Sequence, residues 1–214
     1  MPIDYFVWAI QNADRTIVID TGFNKTDGER RGRTFLRNPA DLLKLVGIEA
    51  GAVRDVIVTH MHYDHIGNID LFPAATFHIQ DKEIAYATGR YMCHQVLSQA
   101  FDVEHVTGMV RRVYAGRVRF HEGEAQIAPG VTVHRVGGHS GGLQVVRVHT
   151  ERGWLVLASD ASHFIENRTQ RSPFPIVLHV GDMLEGHRIC EELADGDDFI
   201  IPRNFRLRGD DARF

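Results

Sequence analysis

The stretch that most constrains this chain is His60-Met61-His62-Tyr63-Asp64-His65, in which four of six consecutive side chains can bind a metal. It follows an apolar run, Val56-Ile57-Val58-Thr59, that reads as a buried strand. It precedes Ile66-Gly67-Asn68, which reads as the start of a helix. A strand end turning into a helix therefore carries the cluster. His60 and His62 are two apart, so extended backbone points both to one side. Asp64 and His65 come after the turn and face the same space from another direction. Imidazole suits zinc, and mixed His/Asp sets are usual at catalytic metal sites. The bland alternative is a surface loop with stray metal affinity. Four ligand types in six positions, directly after a buried strand, speak against it.

The totals bound the rest. A chain of 214 residues, 43% hydrophobic and 24% charged, fits one globular domain with a sizeable core. A net charge of −4, from 24 basic and 28 acidic residues, gives no electrostatic case for nucleic acid or an anionic membrane. The run Tyr5-Phe6-Val7-Trp8-Ala9-Ile10 is too short to span a bilayer and lacks a basic start, so it reads as a strand rather than a leader. Two cysteines, Cys93 and Cys190, are too few for a disulfide framework, and a reduced, cytoplasmic setting follows as the default. Cys93 reads as a pocket residue or as a small buried hydrophobe.

Along the chain, Arg15 to Asp20 is a second strand, paired with the first as a hairpin across Asn12-Ala13-Asp14. Residues 24–37 form a polar excursion. Pro39 to Val46 is a helix with Pro near its start and Gly47 at its end. Further strands are expected at 53–59, 75–79, 118–120, 125–127, 131–136, 144–149, 154–158 and 199–201, with helices at 81–87 and 180–193. From Gly89 to Val113 the pattern weakens; this segment is either a substrate-facing insertion or an ordinary helical excursion. Two strand series with interspersed helices argue for a layered α/β protein.

Three more residues stand out. Asp20, before Thr21-Gly22, either bonds to the metal loop or merely caps a turn. His139 sits at the tip of Gly137-Gly138-His139-Ser140-Gly141-Gly142, where glycines let the backbone come close. Asp160 ends the apolar strand Leu155-Val156-Leu157-Ala158-Ser159, placed either to bridge two cations or to cap a following helix.

Together these motifs resemble the metallo-β-lactamase superfamily, whose defining signature is His-x-His-x-Asp-His after a strand. Ser159-Asp160-Ala161-Ser162-His163-Phe164 and Pro175-Ile176-Val177 are similar to its N-acyl homoserine lactonase-like branch, and the likeness runs from about Pro2 to Pro202. No cysteine stands near Asp160, unlike the classical β-lactamases. The resemblance implies an αβ/βα four-layer sandwich of two mixed β-sheets flanked by helices, with metals at one edge. It implies a first zinc on His60, His62 and His139, and a second on Asp64, His65 and Asp160, with Asp160 shared. It implies catalytic roles for Asp64, Asp160 and His163, the last standing where lactonases carry a tyrosine that contacts the substrate carbonyl. The implied reaction is opening of a lactone, a small-molecule substrate, by hydroxide held between zinc ions roughly 3.5–4 Å apart. Hydrolysis of another ester or thioester is the alternative, as is a catalytically impaired metal-binding paralogue.

That last alternative comes from the C-terminus. Relatives end the last strand with Pro-Gly-His-Asp, whose histidine completes the second metal site. Here the chain reads Ile201-Pro202-Arg203-Asn204-Phe205, with Asn204 in the histidine's place. The expectation is a single domain over residues 1–214 with a divergent tail at 203–214, and a second zinc site that binds weakly. The oligomeric state is not legible.

Overall fold

The structure is a computed structural model and describes residues 3–204. Near the N-terminus, strands β1 (Trp8–Gln11) and β2 (Thr16–Ile19) pair antiparallel. Their turn is fixed by the Asn12 side-chain oxygen, which accepts from the backbone N–H groups of Asp14 and Arg15 at 3.0 and 2.9 Å. Strands β3 (Asp55–Ile57), β4 (Thr76–Gln80) and β5 (Val118–His121) then add in parallel, giving the sheet order β1-β2-β3-β4-β5. Between them run α1 (Lys25–Arg30), α2 (Pro39–Leu45), α3 (Tyr63–Ile66), α4 (Asp81–Ala87), α5 (Gln95–Ser98) and α6 (Val103–Tyr114).

The second sheet is an antiparallel meander of β6 (Glu124–Ala128), β7 (Val131–Arg135), β8 (Gln144–Thr150) and β9 (Gly153–Ser159). After α7 (Ile165–Thr169) and α8 (Val180–Leu193), β10 (Ile200–Pro202) joins it parallel to β9, in the order β10-β9-β8-β7-β6. Both sheets are therefore mixed.

Period-two alternation explains how the layers assemble. Ile17, Ile19 and Ile57 point from the first sheet into a core shared with Val133, Val146, Val148, Leu157 and Ile201 of the second. Val18, Val56, Phe77 and Ile79 point the other way, onto Leu43 of α2 and Met109 of α6. On the far side of the second sheet, Val145, Val156, Ala158 and Ile200 pack with Cys190 of α8. The result is helix, sheet, sheet, helix, the four-layer αβ/βα sandwich that the sequence motifs imply.

Several local expectations need revision. The helix after β3 starts inside the histidine motif, at Tyr63, and Gly67 ends it. A Cβ at Gly67 would stand 2.7 Å from Tyr63 O and 2.8 Å from Gly22 O, so no larger residue fits there. The polar excursion contains α1, capped by Asn24, while the weakly patterned segment carries the twelve-residue α6, the helical excursion that is one of the two alternatives for it. Cys93 is exposed, neither a cavity residue nor a buried hydrophobe; Cys190 is buried, which pushes its thiol pKa up to about 12. Of the tail expected at 203–214, residues 205–214 lie outside the described residues. Among the described residues no helix is long and apolar enough to cross a membrane.

Candidate metal centre and cavity

The site forms where strand ends of both sheets meet. His60, His62 and α3 follow β3; the His139 loop joins β7 to β8; Asp160 follows β9; Arg203 follows β10. His60 and His62 face the same side, as two-residue spacing requires, while Met61 between them turns into the core, fully buried. His60 Nε2 and His139 Nε2 each lie 3.0 Å from His62 Nδ1. Three ring nitrogens thus converge on one point, all from buried residues. Burial, reinforced by neighbouring imidazoles, holds the His60 and His62 pKa values well below the usual histidine range. Neutral imidazoles with convergent lone pairs fit a divalent cation.

Asp160 lies beside this group. Its Oδ2 is 3.1 Å from His139 Nε2 and 3.8 Å from His60 Nε2, and its Oδ1 is 3.4 Å from His65 Nε2. Asp160 Oδ1 and His65 Nε2 are buried and make no hydrogen bond among the described residues. His60, His65 and Asp160 form a second cluster able to hold a metal, and His139, Asp160 and His163 a third. No helix starts at Asp160, since the next one begins at Ile165, so the capping alternative falls. Asp64 Oδ2 is 3.7 Å from His65 Nε2. His163 Nε2 is 3.2 Å from Asp160 Oδ2, and its ring stacks on Phe174 with centroids 4.0 Å apart. Burial pushes the His163 pKa down to about 4, so the ring is neutral at pH 7. The structure therefore brings together His60, His62, Asp64, His65, His139, Asp160 and His163.

The surrounding residues hold these groups in place. Asp20 Oδ1 accepts from Thr59 N at 2.8 Å, its Oδ2 accepts from Thr59 Oγ1 at 2.7 Å, and that same oxygen lies 2.7 Å from His65 Nδ1. Asp20 thus orients His65 from behind rather than merely capping a turn. Burial alone would lower the His65 pKa, but Asp160, Asp20 and Asp64 together raise it to about 10. Asp20 and Ser159, two strand-end residues, both adopt left-handed backbone at φ 59° and 47°. Such strain in non-glycine residues collects at functional sites.

Glu83 of α4 was not anticipated. Its Oε1 accepts from Met61 N at 2.8 Å, and its Oε2 accepts from Ser140 Oγ and Gly142 N, each at 2.8 Å. One buried carboxylate thereby ties the first histidine loop to the second. The available signal was spacing: Glu83 shares the buried face of α4 with Tyr86 and Ala87, three and four residues on.

Arg203 was also missed as a site residue. Its guanidinium hydrogen-bonds to both Asp160 Oδ2 and Asp64 Oδ2. Asn204 turns elsewhere: its side-chain oxygen accepts from Asp4 N at 3.0 Å. The residue that reaches the second cluster from the last strand is therefore Arg203, not Asn204. Burial opposes ionisation of both aspartates, but the Arg203 charge overrides it and keeps their pKa values low, that of Asp160 well below the carboxylate range.

Above the site opens a cavity of about 490 Å³. His62, Asp64, His139, Asp160, His163 and Arg203 are among its polar lining residues. Val96, Leu97 and Ala100 around α5, with Phe174, Ile176 and Leu178, are among its apolar lining residues. The weakly patterned segment does reach the cavity, but through Val96 to Ala100. Its His105 instead lies 3.0 Å from Asp27 Oδ2, away from the site.

The family model of the metallo-beta-lactamase superfamily matches residues 2–201. An N-acyl homoserine lactonase of Bacillus thuringiensis is 26% identical over 187 residues, covering 78% of this chain and 68% of the relative. The N-acyl homoserine lactonase AiiB of Agrobacterium fabrum is 27% identical over 194 residues, covering 80% and 68%. Among solved structures, the crystal structure of a quorum-quenching N-acyl homoserine lactone lactonase superposes with a TM-score of 0.75 at 23% identity, covering 91% of this chain and 76% of that one.

Proposed function

Because this chain belongs to the metallo-beta-lactamase superfamily and is a metal-dependent hydrolase of that kind, we propose that it opens a lactone ring, with zinc as its metal and an N-acyl homoserine lactone-like molecule as its substrate. The observation that carries this reading is the convergence of His60 Nε2, His62 Nδ1 and His139 Nε2 beside a cavity lined by both polar and apolar side chains. A polar lactone head and an acyl tail match those two kinds of lining. The names of the two relatives speak for the same substrate class. A reduced, cytoplasmic setting agrees with a diffusible small-molecule substrate.

When bound, zinc supplies Lewis acidity and lowers the pKa of bound water toward neutrality. The chain's own residues do the rest. His60, His62 and His139 would hold the cation, with Asp160 Oδ2 beside them at 3.1 Å from His139 Nε2. Glu83 fixes the two loops that carry the three histidines. His163, neutral at pH 7, presents ring nitrogens without other hydrogen-bond partners among the described residues, and one of them donates to the substrate carbonyl oxygen. Val96, Leu97 and Ala100 offer apolar contacts to the acyl tail.

The test is metal content alongside turnover. Protein purified without added metal should carry zinc and open an N-acyl homoserine lactone. His60→Ala/His62→Ala should lose at least nine-tenths of both while keeping its circular dichroism spectrum. Full zinc retention in that double variant would refute the assignment.

A further inference from the structure

We propose that the Arg203 guanidinium takes the place of a second metal cation, so that this chain holds one divalent ion, at the three-imidazole site. The inference rests on the reading of that site as a metal centre, and it changes what the other cluster is for. The sequence motifs imply a second zinc on Asp64, His65 and Asp160. In the folded chain a positive charge already stands between two of those residues: Arg203 donates to Asp64 Oδ2 and to Asp160 Oδ2.

Three observations fix the guanidinium there. Its backbone N–H donates to Ser162 O at 2.9 Å, which stitches the end of β10 to the Asp160–His163 loop. The Asn204 side chain accepts from Asp4 N at 3.0 Å, anchoring the next residue on the far side. The guanidinium also lies 4.9 Å from the centroid of the Tyr5 ring, a cation–π contact. The Arg203 side chain is only 11% exposed, so the charge is desolvated and paired rather than free to swing into water.

Chemistry then limits what else can bind. Asp64 Oδ2 lies 3.7 Å from His65 Nε2, and Arg203 has engaged it. His65 Nε2 and Asp160 Oδ1 remain as an unbonded pair, 3.4 Å apart, because His60, the third member of their cluster, is committed to the three-imidazole site. Two donors fall short of the three protein ligands that catalytic zinc sites usually provide. A dication there would also sit against a buried guanidinium, which cannot shed its proton. Arg203 carries out the electrostatic part of a second cation's task, pairing with Asp64 and Asp160 and placing fixed positive charge on the cavity wall.

The test is zinc stoichiometry, which does not depend on any substrate. Metal-stripped protein is titrated with Zn²⁺ by calorimetry, then gel-filtered and assayed for retained metal. The parent should bind and retain one equivalent. Arg203→Ala and Arg203→Met, which release Asp64 Oδ2, should each gain a second. Asp64→Asn should keep the single equivalent of the parent, because Asp64 faces Arg203 and not the metal. A parent that retains two equivalents overturns the inference, even if both Arg203 variants fail to fold. So does an Arg203 variant that folds and stays at one, or an Asp64→Asn protein that loses its zinc. A parent with no zinc at all overturns instead the metal-centre reading beneath it, and the inference falls with that reading.

Discussion

Glu83 is a carboxylate with no exposure to water and three donors of its own. Burial raises its pKa while the three hydrogen bonds pull it back. Glu83→Gln keeps the shape but puts an amide NH₂ where one acceptor oxygen was. At least one of Met61 N, Ser140 Oγ and Gly142 N then loses its partner, at a cost of about 1–3 kcal/mol. Partners behind metal ligands commonly set affinity by roughly 10- to 100-fold. Glu83→Gln should therefore lower both the urea midpoint and the zinc affinity measured against a chelator. Unchanged zinc affinity would show that the tether does not position the histidines. Legibility at this scale followed residue type and place in the chain. Asp20, His139 and Asp160 were readable because each ends a strand or sits among glycines. Glu83 was not, because a charged residue in a short helix reads as solvated. Arg203 was not, because a lone cation after a strand carries no motif, and only the fold brings it to Asp64.

Between α4 and the His139 loop the backbones touch. A Cβ at Gly142 would lie 2.2 Å from Glu83 N and 2.7 Å from Glu83 Cα, and neither is a flexible group. Gly142→Ala must push the loop off the helix and strain the Glu83 hydrogen bonds with it. The expected loss is about 1–3 kcal/mol, typical of overpacking, with weaker zinc binding. Gly51→Ala is the matched control: nothing lies within 4 Å of its Cβ, and its stability should stay within about 0.5 kcal/mol of the parent. Equal melting temperatures for the two variants would argue against this contact. At this scale the strands were the legible part, since Ile17, Val18 and Ile19 face two cores in turn and so read in the sequence as a short continuous apolar run. Helix α6 was hidden for a physical reason. Val103, Val106, Val110 and Val113 carry much of its apolar character, β-branched residues are indifferent helix formers, and Gly108 interrupts them. Tertiary packing makes the helix: Met109 is fully buried, and a Cβ at Gly108 would stand 3.2 Å from Ile69 Cδ1.

For the molecule as a whole, buried histidines set the response to acid, those outside the metal centre adding to His60, His62 and His163. His78, His121, His134 and His187 are each less than a tenth exposed, and burial lowers the pKa of every one. His78 and His121 stack nearly parallel, at 3°, with Nδ1 and Nε2 3.1 Å apart, so protonating both sets two charges side by side. In the unfolded chain these rings titrate near 6.5. Below that pH the unfolded state binds more protons than the folded one, so stability rises with pH across the window. Their contribution is complete above about 6.5 and is lost as pH falls toward the lowered folded values. His65 has the opposite sign. With its folded pKa raised to about 10, its contribution is complete below the unfolded value near 6.5 and is lost as pH rises toward 10. Urea melts of chelator-treated protein should therefore weaken on both sides: below pH 6.5, before most carboxylates titrate, and again between pH 7 and 10. His78→Gln, which removes one titrating ring of the stacked pair, should flatten the acid limb and leave the alkaline limb in place. Stability that is level from pH 7 down to 5 would mean these rings accept protons in the folded state, and that the burial argument for them is wrong.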